Sequence, residues 1–364
     1  MFLFGVTLAL NELHMNGVTA KYVHDMTLLE LACYVGAKKV LKYLTEEYGM
    51  DINQENSNNE TLLFKACFGS SLSVIKYLIE HGADINKENK DGSTPLFSAC
   101  EIVSSKGDDN DNNNDDDDDD DNNGNDDEDE DDDDNNGNND ENEDDDDNNG
   151  NNDDDDDDDD DDNNSNDDDD YDDDDVKRID VVKYLVKHGA DINKENKYGE
   201  TPLLRACKYG NNTVVEYLVK KGANINKEDN NGKISLHYAC ELNRKLLING
   251  IEDYEPECII KHLIKKGANI NKKDTNGKTP LTIVCQYAHQ FDKNKTMEII
   301  KYLVKHGADI NNKNNKEKTP IDELYEHKKR NKRFIKYLTK KGAKCNKFSL
   351  KNLFEKIFNY EIHF

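Results

Sequence analysis

Two short apolar patterns alternate along this chain. In the first, a leucine or isoleucine is followed three residues later by a small or apolar residue, most often Ala-Cys. It occurs as MTLLELAC (26–33), ETLLFKAC (60–67), STPLFSAC (93–100), ETPLLRAC (200–207), KISLHYAC (233–240), KTPLTIVC (278–285) and KTPIDELY (318–325). In the second, apolar residues at helical spacing run into a glycine: VIKYLIEHGADIN (74–86), VVKYLVKHGADIN (181–193), VVEYLVKKGANIN (214–226), IIKHLIKKGANIN (259–271), IIKYLVKHGADIN (299–311) and FIKYLTKKGAKCN (334–346). A degenerate copy, VLKYLTEEYGMDIN, opens the series at 40–53. Recurrence at i, i+3 and i+4 predicts a helix with one buried stripe in each segment. The chain therefore reads as seven helix-turn-helix units.

Local signals agree with this reading. Thr-Pro opens four of the first helices, and proline at a first helical position presets φ where no N–H is needed. Gly82, Gly189, Gly222, Gly267, Gly307 and Gly342 close the second helices as left-handed caps. Lys187, His188, Lys220, Lys221, Lys265, Lys266, Lys305 and His306 precede them and complement the C-terminal dipole. Asp91-Gly92, Asn231-Gly232 and Asn276-Gly277 mark tight turns between units.

These segments resemble the ankyrin repeat, with its T-P-L-H-x-A core and period of 33, met between Gly49 and Gly82 and between Gly189 and Gly222. The resemblance spans most of residues 27–346 and implies an all-α ankyrin-repeat solenoid with short β-hairpin turns, interrupted by a disordered acidic loop. The other glycine intervals are 107, 45, 40 and 35 residues, and each excess falls between the two helices of a unit. In the family that loop lies opposite the hairpin tips, so insertions leave the usual binding side clear. The expected organisation is an N-terminal cap or degenerate repeat (1–25), units 1, 2 and half of 3 (26–107), the acidic insert (108–175), the rest of unit 3 with units 4–7 (176–346), and a C-terminal capping helix (347–364). Phe348, Leu350, Leu353, Phe354, Ile357 and Phe358 have the helical spacing a cap needs, and a docking helix for another protein is the other reading of that tail.

Charge divides the chain sharply. Residues 108–175 contain 44 Asp or Glu and no Lys or Arg, which leaves the other 296 residues at +13 although the whole chain carries −31. The insert reads as a low-complexity expansion tolerated on a loop, as an acidic tether that folds back over the basic body, or as a polyanion that holds basic proteins. A closed loop of that length costs the third unit only about 2–3 kcal/mol by chain-closure scaling.

Several chemistries are set aside. Two stretches of the insert, Asp119–Glu130 and Asp132–Glu143, match a calcium-loop pattern by composition, without flanking amphipathic helices. Gly277-Lys278-Thr279 lacks the glycine a phosphate loop needs, since Lys272 stands there. Six of eight cysteines, Cys33, Cys67, Cys100, Cys207, Cys240 and Cys285, share one register position. Helix spacing of ~8–10 Å exceeds disulfide reach, so small buried thiols are expected, and with them a reducing compartment. The apolar stretch Phe2–Leu10 has no Lys or Arg ahead of it, against a secretory leader. The tyrosine row Tyr43, Tyr77, Tyr184, Tyr217, Tyr302 and Tyr337 reads as framework, as does His237 at the motif histidine.

The expected function is therefore a non-catalytic protein-protein interaction module without cofactor or metal, cytoplasmic or nuclear, monomeric, with no small-molecule substrate, nucleic acid or membrane as partner. A polyanionic chaperone acting through the insert is the alternative. The resemblance implies tip positions at Lys90, Ser93, Tyr198, Glu200, Lys233, Thr275, Lys278, Lys316 and Lys318. It places Lys65, Phe68, Ser98, Arg205, Lys208, Tyr209, Tyr238, Ile283, Gln286 and Tyr287 on the inner-helix face. Arg205, Tyr209, Tyr238 and Tyr287 are the expected anchors, because Arg and Tyr dominate interface energetics. The lysine-rich surface predicts an acidic protein partner.

Overall fold

In the computed structural model, residues 26–101, 178–241, 256–290 and 292–346 are described. The N-terminal segment 1–25, the acidic insert and the tail 347–364 lie outside them, as do the expectations attached to those segments. The described residues form seven helix pairs: α1 (Leu28–Tyr34) with α2 (Lys38–Glu46), α3 (Leu62–Phe68) with α4 (Leu72–Glu80), and α5 (Pro95–Ala99) with α6 (Arg178–Lys187). Then follow α7 (Pro202–Lys208) with α8 (Asn212–Lys220), α9 (Ser235–Cys240) with α10 (Pro256–Lys265), α11 (Pro280–Tyr287) with α12 (Lys293–Lys305), and α13 (Pro320–Tyr325) with α14 (Lys328–Lys340). The first helix of each pair stacks on the first helices of its neighbours and the second on the second, giving an inner and an outer layer. Unit 3 is a packed pair like the others, although residues 100–177 separate its helices in sequence.

One continuous core runs between the layers. Leu29, Leu62, Leu96, Leu203, Leu236 and Leu281 from the inner helices are fully buried, as are Val181, Val214 and Leu263 from the outer ones. Burying such a side chain contributes roughly 1.5–3 kcal/mol, and a stack shares each contribution between neighbours. The six register-equivalent cysteines are at most 1% exposed. Burial pushes their thiols up, that of Cys207 to about 12, which makes them inert.

The caps form as the sequence signals require. Pro95, Pro202, Pro280 and Pro320 each occupy a first-turn position behind a threonine N-cap. The six closing glycines have φ between 89° and 93°. His81, His188 and His306 stack on the tyrosine four residues before them, and Nδ1 of each lies 2.7–2.8 Å from that tyrosine's carbonyl oxygen. Each ring thus covers the last turn of its own helix at a carbonyl oxygen.

The tips differ from the expected β-hairpins. Among the described residues the sole bridge is Glu55 with Thr61, outside any strand. The reason is local: an Asn or Asp side chain opens each tip and takes the N–H groups a ladder would use. Asn196 Oδ1 accepts from Tyr198 N and Glu200 N, and Asp274 Oδ1 from Asn276 N and Lys278 N, all at 2.8–3.0 Å. Asn56, Asn89, Asp229 and Asn314 repeat the arrangement. Adjacent tips are then joined by single backbone bonds, such as Lys197 N to Asp91 O at 2.7 Å and Asn230 N to Tyr198 O at 2.9 Å.

A second set of junctions is made by the asparagine that ends each G-A-x-I-N motif. Asn271 donates from Nδ2 to Gly307 O at 2.9 Å and accepts at Oδ1 from Asp309 N at 2.7 Å. Asn86, Asn226 and Asn311 bridge to the next unit in the same two-bond way, and Asn193 through one bond. Beside them runs a ladder of exposed ion pairs, Lys87–Glu55, Lys194–Glu88, Lys227–Glu195 and Lys272–Glu228, at 2.6–2.8 Å.

Candidate functional site

The inner layer and tips of units 2–4, with Met26 of unit 1, border a pocket of about 440 Å³ lined by Phe64, Phe68 and Phe97 and by the polar side chains of Glu60, Lys65, Asp91, Ser98, Glu101 and Arg205. Its origin is a register effect. Phe64 and Phe97 stand where unit 5 has His237, each on the third position of its helix. Ser98 stands where the neighbouring units carry Lys65 and Arg205. Short Ser98 leaves the space open, while the Phe64 and Phe97 rings are at most 3% exposed, so the surface the pocket presents is mainly polar.

Charges around the pocket are matched within the chain. Arg205 pairs with Glu200 at 3.0 Å and Glu101 at 3.3 Å, and its guanidinium carbon lies 5.8 Å from the centre of the Phe97 ring. Burial works against the guanidinium charge, but the two carboxylates outweigh it and hold its pKa up; Tyr209 adds to this. Burial raises the Glu101 carboxyl above its ordinary range, with Arg205 and then Arg178 opposing. For Glu60 burial also pushes upward, and the bonds from Lys65 and Asn56 overcome it to leave a lowered value. Arg178, the first residue of α6, is half-buried and donates to Phe68 O at 3.1 Å and Ser98 O at 3.3 Å. It satisfies inner-helix carbonyls of units 2 and 3 from the first turn of α6.

Of the residues expected to bind a partner, Lys65 and Arg205 line this pocket. Lys208 shares Glu200 with Arg205 at 3.0 Å, and half-buried Tyr209 closes α7. Tyr198 is 56% exposed at its tip, with its hydroxyl 3.4 Å from Asp91. Lys278 donates to Gln286 at 2.6 Å, two units away from the pocket, and Tyr287 is packed partly into the core. Tyr238 departs from expectation: it is 7% exposed and donates to Asp229 Oδ2 at 2.6 Å. The reason is the tip, whose opening Asp229 faces back over α9 and captures the hydroxyl. Burial first and that bond second push the phenol above its ordinary range. Ser93, Glu200 and Ile283 are likewise buried.

Sequence reasoning passed over Phe64, Phe97 and Glu101. Phenylalanine at the motif's histidine position in two successive units was the available signal. His237 keeps the expected structural role, with Ile234 N donating to its Nδ1 at 3.1 Å and its Nε2 lying 3.4 Å from Lys278 O in the next unit. Among the described residues no group of His, Cys, Asp and Glu could hold a metal, and no helix is long and apolar enough to cross a membrane.

A family model described as "Ankyrin repeats (3 copies)" matches residues 29–105, 175–257 and 247–349. The chain belongs to the ankyrin-repeat family. The crystal structure of the human ASB11 ankyrin repeat domain shares the fold, with a TM-score of 0.51 at 20% identity over 82% of this chain and 91% of that one. No curated protein matches the chain. Ankyrin repeats are generally protein-protein interaction modules, and the tips and inner helices described above are the surfaces such modules offer to partners.

Proposed function

We propose that this ankyrin protein is a non-catalytic adaptor that holds a partner protein against the tips and inner helices of units 2–4. The pocket between Phe64 and Phe97 is the observation that carries the reading. It takes an anchor side chain with an apolar body and a polar end, such as tyrosine, and Glu60, Lys65, Glu101 and Arg205 supply the polar contacts that orient it. Exposed Tyr198 extends the same surface at the tip.

The test is selection from a displayed random-peptide library on the full chain and on Ser98→Trp, whose indole fills the pocket. Peptides enriched for tyrosine or another amphipathic residue at one position should bind the full chain and lose at least about tenfold in affinity, equivalent to about 1.4 kcal/mol, on the variant. Unchanged helical content and melting temperature of the variant confirm that the fold is intact. Enriched peptides that bind both proteins equally would place the interface elsewhere.

A further inference from the structure

The basic excess of the body lies on the outer layer, and it peaks on α14. Between Lys328 and Lys341 there are eight Lys or Arg and no Asp or Glu. All eight are exposed, and none lies within ion-pair distance of a carboxylate among the described residues. Every other outer helix contains at least one acidic residue: Glu46, Glu80, Asp180, Glu216, Glu257 and Glu298, in order. Inner-helix cations behave differently, since Lys65, Arg205 and Lys208 all have carboxylate partners, as do Lys233 and Lys318 at the tips.

This arrangement is unfavourable for the helix itself. The first turn of α14 holds Lys328, Lys329 and Arg330 with no acidic residue, the wrong sign for a helix N-terminus. Lys328, Lys332, Lys336 and Lys340 repeat at i, i+4, where like charges repel. The apolar residues Phe334 and Leu338 face the core and are at most 1% exposed, so packing fixes the helix and leaves the basic stripe outward. Ile335 and Tyr337 beside the stripe are half-buried against the core, so no apolar side chain is left exposed to insert into a lipid surface. The one aromatic beside the stripe, Tyr337, is half-buried against the core with Lys341 Nζ 6.0 Å from its ring centre, so it offers no free face for stacking single-stranded bases.

We propose that the outer face of α14 is a second docking surface, for an extended acidic segment of a partner protein. Successive lysines of the stripe rise about 6 Å along the helix. Carboxylates on alternate residues of an extended chain are about 6.7 Å apart on one face, so four of them meet four lysines in register. The surface is independent of the pocket in units 2–4.

Fluorescence anisotropy of the full chain with two labelled octapeptides tests this. One alternates Asp with Ser, and the other places the same four Asp together. The alternating peptide is expected to bind at low salt and to lose at least tenfold in affinity on the variant Lys328→Gln, Lys332→Gln, Lys336→Gln, Lys340→Gln. A control with Lys220, Lys261, Lys265 and Lys301 changed to Gln should lose less than threefold. Lys332→Glu with Lys336→Glu gives an independent reading should the fourfold variant fold poorly, and it too should lose at least tenfold. Absence of saturable binding, equal losses on the two fourfold variants, or tighter binding of an oligonucleotide of equal charge would each overturn the proposal.

Discussion

Gly69 offers a sharp test of how the units stack. It closes α3 at φ −75°, a conformation any residue adopts, so alanine there meets no backbone strain. A Cβ built on it, however, would lie 1.9 Å from Tyr34 O, 2.8 Å from Tyr34 C and 3.1 Å from Tyr34 Cα, all backbone atoms of unit 1. Relief requires the ends of α1 and α3 to separate by more than an ångström, and overpacking against rigid neighbours costs about 3 kcal/mol or more. That cost has a ceiling. Once it exceeds the docking energy of unit 1, that unit detaches, because solenoid units contact only their neighbours. Gly82→Ala is the matched control: φ is 89° and no atom lies within 4 Å of the new methyl, so its cost is the left-handed backbone alone, roughly 1–2 kcal/mol. Urea unfolding followed by circular dichroism, with hydrogen exchange at Leu31 and Val35 in α1 and its cap, distinguishes the two. Gly69→Ala should lower the midpoint further and expose those amides, whereas Gly82→Ala should leave them protected. A Gly69→Ala protein no less stable than Gly82→Ala, with unit 1 amides intact, would falsify the clash argument.

Two further outcomes follow from the junctions. Asn271→Ala removes both bonds to unit 6, and with each bond contributing about 0.5–1.5 kcal/mol and the site exposed, a loss of about 1–2 kcal/mol in urea unfolding is expected; Asn271→Asp should recover part of it by keeping the acceptor for Asp309 N. His237 is buried and neutral, with burial holding its pKa below the ordinary 6.5, so the folded state binds fewer protons than the unfolded state. The stability it contributes is present in full above pH 6.5 and is lost as pH falls below that value. His237→Gln should therefore flatten the decline in urea midpoint between pH 7.5 and 5.5, while lowering the midpoint at the upper pH.

Much of the fold was legible because its signals are local. Apolar spacing, Thr-Pro starts and glycine stops each act within one helix, and seven copies reinforce one another. The thiol row was legible for the same reason, since one register position has one environment. The asparagine bridges were not, although the asparagines were visible in every motif, because their partners lie in the following unit, 31 to 105 residues away. Tyr238 was misplaced on the exposed face because the capture of its hydroxyl by Asp229 depends on how the tip folds over α9.

The sequence by itself thus determined the unit, its caps, its buried stripe and the family, because each rests on short-range spacing. The tertiary structure decided where charge and space remain. Stacking paired the inner-layer cations with carboxylates from their own and adjacent units, left the stripe on α14 unmatched, and brought Phe64, Phe97 and Arg205 from three units around one pocket. Those are properties of distances between units, and no periodicity within a unit encodes them.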